Sequence, residues 1–158
     1  MKSLDAAIVM GSDSDWEKMS EAKKALENFG LSAEMKILSA HRAPVELVEY
    51  IKECESRGAK IFIAGAGLAA HLPGVVAAHT DRPVVGVPLS AGPLNGQDAL
   101  LSIVQMPKGV PVATVAIDGA WNAGLLSCQI LATSNDSLRN KFKSYRDEMR
   151  KKVLSKNS

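Results

Sequence analysis

Five short apolar runs alternate with five stretches of helical spacing along this chain, and that alternation constrains the fold more than any other feature. The runs cover 6–10, 35–38, 61–64, 84–87 and 112–115. They are almost entirely apolar, as expected for strands covered by helices on both faces. The stretches between them carry apolar residues three and four apart. Met19, Ala22, Ala25, Leu26 and Phe29 share one face of 16–29, and Leu47, Val48, Ile51 and Cys54 share one face of 45–57. Gly30 and Gly58 close these two helices. Further helices are expected over 72–79, 98–105 and 120–132. Strict alternation implies a five-stranded parallel sheet with helices on both faces and right-handed crossovers. With 158 residues the chain can bury one sizeable core, and no linker or internal repeat divides it.

Composition excludes several classes. Hydrophobic residues make up 46%, too many for a disordered chain. A net charge of +2 gives no general affinity for nucleic acid or acidic membranes. No apolar run approaches the length of a membrane span, and no signal segment precedes the first strand. Cys54 and Cys128 match no metal or redox spacing and read as buried free thiols. The expectation is a soluble cytoplasmic protein.

Four loops follow the strands, and in an open parallel sheet ligands bind at the carboxyl ends of strands. The first is Gly11, Ser12, Asp13, Ser14, Asp15. Its hydroxyls and carboxylates, with the N–H groups of the next helix, suit a phosphate or a ribose. Ser12 and Asp15 also have the spacing of a helix capping box, which needs no ligand. The second is Ser39, Ala40, His41, Arg42, with Pro44 at the favoured first position of a helix. A histidine there can move a proton near neutral pH, and the arginine can hold an anion. The helix dipole opposes cations at that end, so a purely structural role is hard to find. The third loop runs from Gly65, Ala66 and Gly67 to Ala70, His71 and Leu72. It fits the glycine pattern of a dinucleotide site, but it does not follow the first strand and no acidic residue ends the next one. Its glycines still imply a close backbone approach, and His71 can be a capping or core histidine. The fourth, 88–96, is rich in Gly and Pro and can close over a ligand. The three histidines lack metal-ligand spacing, so no metal site is expected. No G-x-S-x-G elbow is present, and Ala64-Gly65 stands where a receiver domain needs its acceptor Asp.

The tail from Asn135 is a separate feature. Leu138, Phe142, Tyr145, Met149 and Val153 recur at helical spacing. Residues 135–158 hold eight Lys and Arg against three Asp and Glu, or +5, which leaves −3 on the first 134 of the +2 total. The stripe must cover either its own domain or a neighbouring subunit.

Four blocks taken together resemble the N5-carboxyaminoimidazole ribonucleotide mutase family of purine biosynthesis. They are Met10-Gly-Ser-Asp-Ser-Asp-Trp16, Ser39-Ala-His-Arg42, Ala64-Gly-Ala-Gly-Leu-Ala-Ala-His-Leu-Pro-Gly74 and Leu100-Leu-Ser-Ile-Val-Gln-Met-Pro107. They fall in the family's order. The resemblance implies a flavodoxin-like three-layer α/β/α sandwich over 1–134, with 135–158 a helical extension of the same domain packing on a neighbouring subunit. It implies a homo-octamer with sites between subunits, without cofactor or metal. It implies an isomerase that moves the carboxylate from the exocyclic nitrogen to C4 of the imidazole ribonucleotide, on the route to IMP. His41 matches the family's acid/base. Ser12 and Arg42 match its phosphate ligands, Asp15 its ribose ligand, and His71 falls near the imidazole and CO2. The remaining residues of the three loops (Gly11, Asp13, Ser14, Ser39, Ala40, Gly65, Ala66, Gly67, Ala70 and Leu72) are expected around the substrate. Leu68 stands where many members carry a second small residue, and 118–122 is shorter than in some. A second class of the family takes CO2 directly and tends to carry His-Lys rather than His41-Arg42, which puts this chain with the mutases. The resemblance leaves open a transient contact with the synthetase that forms the carbamate.

Three other readings stay in view. The chain can carboxylate the aminoimidazole ribonucleotide directly. It can be a non-catalytic nucleotide- or flavin-binding module on the same fold. Least favoured is an interaction protein using the basic tail on nucleic acid, because the positive charge is confined to one helix.

Overall fold

A computed structural model describes residues 3–157. The elements run β1 (Ala6–Met10), a 3-10 turn (Asp13–Asp15), α1 (Trp16–Asn28), β2 (Ala33–Ile37), α2 (Pro44–Ser56), β3 (Ile61–Gly67), α3 (Leu72–Ala78), β4 (Val84–Leu89), α4 (Gln97–Val104), β5 (Ala113–Thr114), α5 (Ala120–Ala132) and α6 (Asp136–Leu154). A last 3-10 turn covers Ser155–Asn157. The five strands are parallel in the order β2-β1-β3-β4-β5. The fold is a flavodoxin-like α/β/α sandwich.

Side chains alternate across each strand, so the two faces build two cores. Ala7, Val9, Phe62 and Ala64 pack with α2, α3 and α4 through Leu47, Ile51, Val76 and Ile103. Ala6, Ile8, Met10, Ile63 and Val87 pack with α1, α5 and α6 through Met19, Leu26, Ala123, Leu138 and Phe142. Close approach of α1 to α5 depends on small residues. A Cβ on Gly124 would stand 2.6 Å from both the Ala22 carbonyl oxygen and Ala25 Cβ. Cys54 and Cys128 are buried free thiols, and burial pushes them up to about 11 and about 12.

The edges depart from the apolar pattern. β2 spans 33–37 rather than 35–38, and its residues are half-buried or exposed. As an edge strand it needs no full apolar cover. It is tied to α2 instead: Arg57 donates to both Glu34 carboxylate oxygens at 2.7 and 3.2 Å, and the Tyr50 hydroxyl donates to Glu34 at 2.9 Å. β5 shrinks to two residues, just past Pro111, which has no N–H to donate. β3 is longer than the apolar run. Gly65, Ala66 and Gly67 stay in the ladder, opposite Val87, Pro88 and Leu89.

α6 divides the tail. Asn135 caps it, its side-chain oxygen accepting from the Leu138 N–H at 3.0 Å. Leu138 and Phe142 are buried on the chain's own domain, with the Phe142 ring 5.4 Å from Phe29. The stripe's first half therefore folds back, whereas Met149 and Val153 stay 51% and 62% exposed. Among the described residues no helix is long and apolar enough to cross a membrane.

Candidate active site

The chain leaves β1 for β2 on one side and returns to β3 on the other, so β1 and β3 flank a topological switch point. A crevice opens there, outside the carboxyl ends of the strands. The register brings the strand ends level: Met10 pairs with Ile37 on one side and Gly65 on the other. Three loops consequently meet around one cleft of about 510 Å³.

From the first loop, Gly11, Ser12, Ser14 and Asp15 line the cleft. The Ser12 hydroxyl accepts from the Ser14 N–H at 3.4 Å and caps the 3-10 turn, so it does not make its half of the capping box with Asp15. Burial raises the Asp15 carboxyl above its ordinary value. The Ser12 amide and the Lys18 charge oppose that rise, and Asp13 adds to it. Asp13 itself lies off the cleft wall. Its carboxylate accepts from Ser12 Oγ and the Ser14 N–H, both at 3.0 Å, so it shapes the loop from outside.

From the second loop, Ser39, Ala40, His41 and Arg42 line the same cleft. Ser39 folds the turn: its carbonyl accepts from the Ala43 N–H at 2.9 Å and its hydroxyl from the Arg42 N–H at 3.3 Å. This leaves the His41 and Arg42 side chains free to project. Arg42 Nη2 donates to the Gly11 carbonyl at 3.1 Å, tying the second loop to the first.

From the third loop, Ala66, Gly67, Ala70, His71 and Leu72 line the cleft. Gly65 does not; it lies beneath, where an added Cβ would meet Met19 Sδ at 2.3 Å. The backbone here is strained, with φ of 56° at Leu68 and 25° at Ala70, angles that non-glycine residues seldom adopt. The turn delivers His71 to His41. His41 Nε2 and His71 Nδ1 are 2.6 Å apart, with the rings at 82° and their centroids 4.8 Å apart. One nitrogen carries the shared proton and the other accepts it.

Leu68, Ala69 and Ala91 also line the cleft without having been singled out as ligands. Leu68 and Ala69 sit inside the glycine-rich block, where Leu68 is large and Ala69 carries no signal that separates it from Ala66 and Ala70. Ala91 belongs to the Gly/Pro loop expected as a cover, and nothing in its own chemistry marks it. Among the described residues no three His, Cys, Asp or Glu side chains come together so as to hold a metal.

The site therefore offers a proton-sharing histidine pair, a cation and a half-buried carboxylate around a floor of small residues. Such a set can grip an anionic, hydroxylated ligand and move one proton over it. The chain is 54% identical over 149 residues to the N5-carboxyaminoimidazole ribonucleotide mutase of Saccharolobus solfataricus, covering 94% of each. It is 50% identical over 151 residues to the protein of the same name from Mycobacterium tuberculosis, covering 96% of this chain and 87% of that one. A Schizosaccharomyces pombe phosphoribosylaminoimidazole carboxylase is 54% identical over 149 residues, which span 27% of its length. The crystal structure of Treponema denticola PurE superposes with a TM-score of 0.87 at 28% identity, covering 95% of this chain and 94% of that one. The model of the AIR carboxylase family matches residues 5–152, and the chain belongs to that family.

Proposed function

We propose that the protein is an N5-carboxyaminoimidazole ribonucleotide mutase, an isomerase of purine biosynthesis. The His41–His71 contact beside Arg42, at the switch point of a chain from this family, carries the reading. Arg42 and Ser12 hold the phosphate and Asp15 the ribose hydroxyls. The reaction then needs one proton and no net change. A proton passed on by His41 goes to the exocyclic nitrogen as its bond to the carboxylate breaks, which frees CO2 and the amine. C4 attacks the carbon of the trapped CO2. The hydrogen on C4 leaves as a proton to His41, which restores the aromatic ring and the starting enzyme. His71 offers the shared proton a second seat. The small residues Ala66, Gly67 and Ala70 leave room for CO2 against the ring.

Turnover in 13C-labelled bicarbonate, without ATP or metal, tests this. Unlabelled C4-carboxylated product is expected. Label in the first turnovers selects direct carboxylation instead, a reading favoured by the carboxylase name of the Schizosaccharomyces pombe relative. No product above the uncatalysed rate sinks both and leaves a nucleotide-binding module.

Arg42 should act through binding. Arg42→Met removes a charged hydrogen bond to phosphate, so KM should rise about thirtyfold while kcat changes far less. An unchanged KM in steady-state assays would take Arg42 out of the phosphate site.

The assembly follows the family reading: an octamer in the cytoplasm, where the buried thiols of Cys54 and Cys128 stay reduced. His41 and Arg42 are exposed in the single chain, which leaves room for a neighbouring subunit to close the cleft. The exposed second half of α6 supplies one contact. Met149→Glu with Val153→Glu should lower the mass measured by light scattering, as should deletion of 135–158. An intact octamer in the double variant would show that this half of α6 makes no subunit contact.

A further inference from the structure

The loop at 90–96, between β4 and α4, forms part of the cleft wall through Ala91. It lies close against the end of β3 and the strained loop that follows, at two points. A Cβ on Gly67 would stand 3.0 Å from Ala91 Cβ, and one on Gly92 would stand 2.8 Å from Leu68 Cδ2. A shift of 90–96 therefore moves the wall that faces the ligand.

The other side of this loop rests on the turn after β5. The Ser90 N–H donates to Asp118 Oδ1 at 2.9 Å, and the Ser90 hydroxyl donates to Asp118 Oδ2. Lys18 Nζ donates to Asp118 Oδ1 at 2.9 Å, to Ser90 Oγ at 2.7 Å and to the Ser90 carbonyl at 3.2 Å. Gly96 closes the far end, where an added Cβ would stand 2.7 Å from Ile117 Cγ2. Asp118 is itself held in the left-handed region, at φ 57°, with its N–H donating to the Pro88 carbonyl at 2.8 Å. Aspartate tolerates that conformation better than most residues. The carboxylate is thus aimed by the backbone, and three donors converge on it. Lys18 lies on α1, three residues beyond Asp15, which lines the cleft.

We propose that Lys18 and Asp118 form a clasp on Ser90 that sets loop 90–96 against the cleft, and that Lys18 is thereby a positioning residue for ribonucleotide binding. The binding half of this proposal rests on the mutase reading. The clasp acts locally. Lys18 and Asp118 side chains are 38% and 36% exposed, and an ion pair in that setting adds little to global stability.

Lys18→Met keeps the stem and removes the charge and the donors. Amide hydrogen exchange across 90–96 should quicken about tenfold, while the melting temperature moves by less than about 3 °C. The KM for N5-carboxyaminoimidazole ribonucleotide should rise about tenfold with kcat held within about threefold, the pattern of lost uniform binding. Lys18→Arg keeps a charged donor and should restore both exchange and KM. Unchanged exchange in Lys18→Met overturns the clasp. Quickened exchange with an unchanged KM overturns its role in binding. If the wild-type protein does not turn the ribonucleotide over, the mutase reading fails by itself, and the exchange data alone decide the clasp.

Discussion

Replacing His41 with Asn should lower kcat about a thousandfold, within the range that a positioned general acid–base supplies. The size of the loss follows from the number of jobs assigned to one ring. In the proposed mechanism His41 delivers the proton to the departing nitrogen and removes it from C4, so its loss disables both halves of the transfer. Asparagine keeps a polar group of similar reach and can still face His71 Nδ1, which His41 Nε2 meets at 2.6 Å. It cannot take up a proton and release it. Binding should survive, because in the proposed mechanism Ser12, Asp15 and Arg42, which line the same cleft, hold the phosphate and ribose and are left in place. The Kd of the carboxylated product, measured by calorimetry, should stay within about threefold of the wild-type value, as expected when a group acts only in the transition state. A variant that keeps more than a tenth of the wild-type kcat would remove His41 from the proton path. One that loses product binding as well would make it a ligand rather than an acid–base.

The second large effect concerns stability. Phe142→Ala should lower the free energy of unfolding by about 3 kcal/mol, the usual cost of emptying a buried aromatic site. Phe142 is 9% exposed, its ring lies 5.4 Å from Phe29, and Arg146 stands over its outer face. Lys141 adds a hydrogen bond to the Phe29 carbonyl at 3.0 Å, so the first half of α6 is fastened to the end of α1. Removing the ring should loosen that fastening and leave a cavity beside Phe29 that the backbone of α1 cannot fill. Denaturant midpoints, compared at one protein concentration, provide the measurement. A change below about 1 kcal/mol would mean that α6 is held by its neighbours and not by its own domain. Met149→Glu with Val153→Glu should do the opposite, changing assembly with little loss of fold.

Much of the architecture was legible because strands covered on both faces must be apolar, and helices covered on one face must be striped. The runs at 6–10 and 61–64 obey the first rule and α1 and α2 the second, so the local pattern and the global fold agree. The rule weakens at sheet edges. β2 carries Glu34 and Lys36 in a strand that one neighbour and a salt-bridged helix hold in place, and β5 keeps two residues of the expected four. The glycines of Gly65–Gly67 looked like the start of a loop. In the fold they continue the ladder, and Gly65 is small because Met19 crosses above it.

The candidate site divides in the same way. Sequence by itself determined which residue types stand at the carboxyl ends of β1, β2 and β3, because chain order and strand direction put them there. The placement of His41, Arg42, Ser12 and Asp15 at those ends needed no coordinates. Which of them meet was decided by tertiary structure. The contact between His41 and His71 spans thirty residues of sequence and depends on two strained positions, Leu68 and Ala70, that no local preference would choose. The places of Ala91 and Lys18 depend on the pairing of β4 with β3 and on a turn a hundred residues from Lys18. Periodicity reports burial, which is a local average over a face. Proximity between loops is a property of the sheet order, and only the packed sheet sets it.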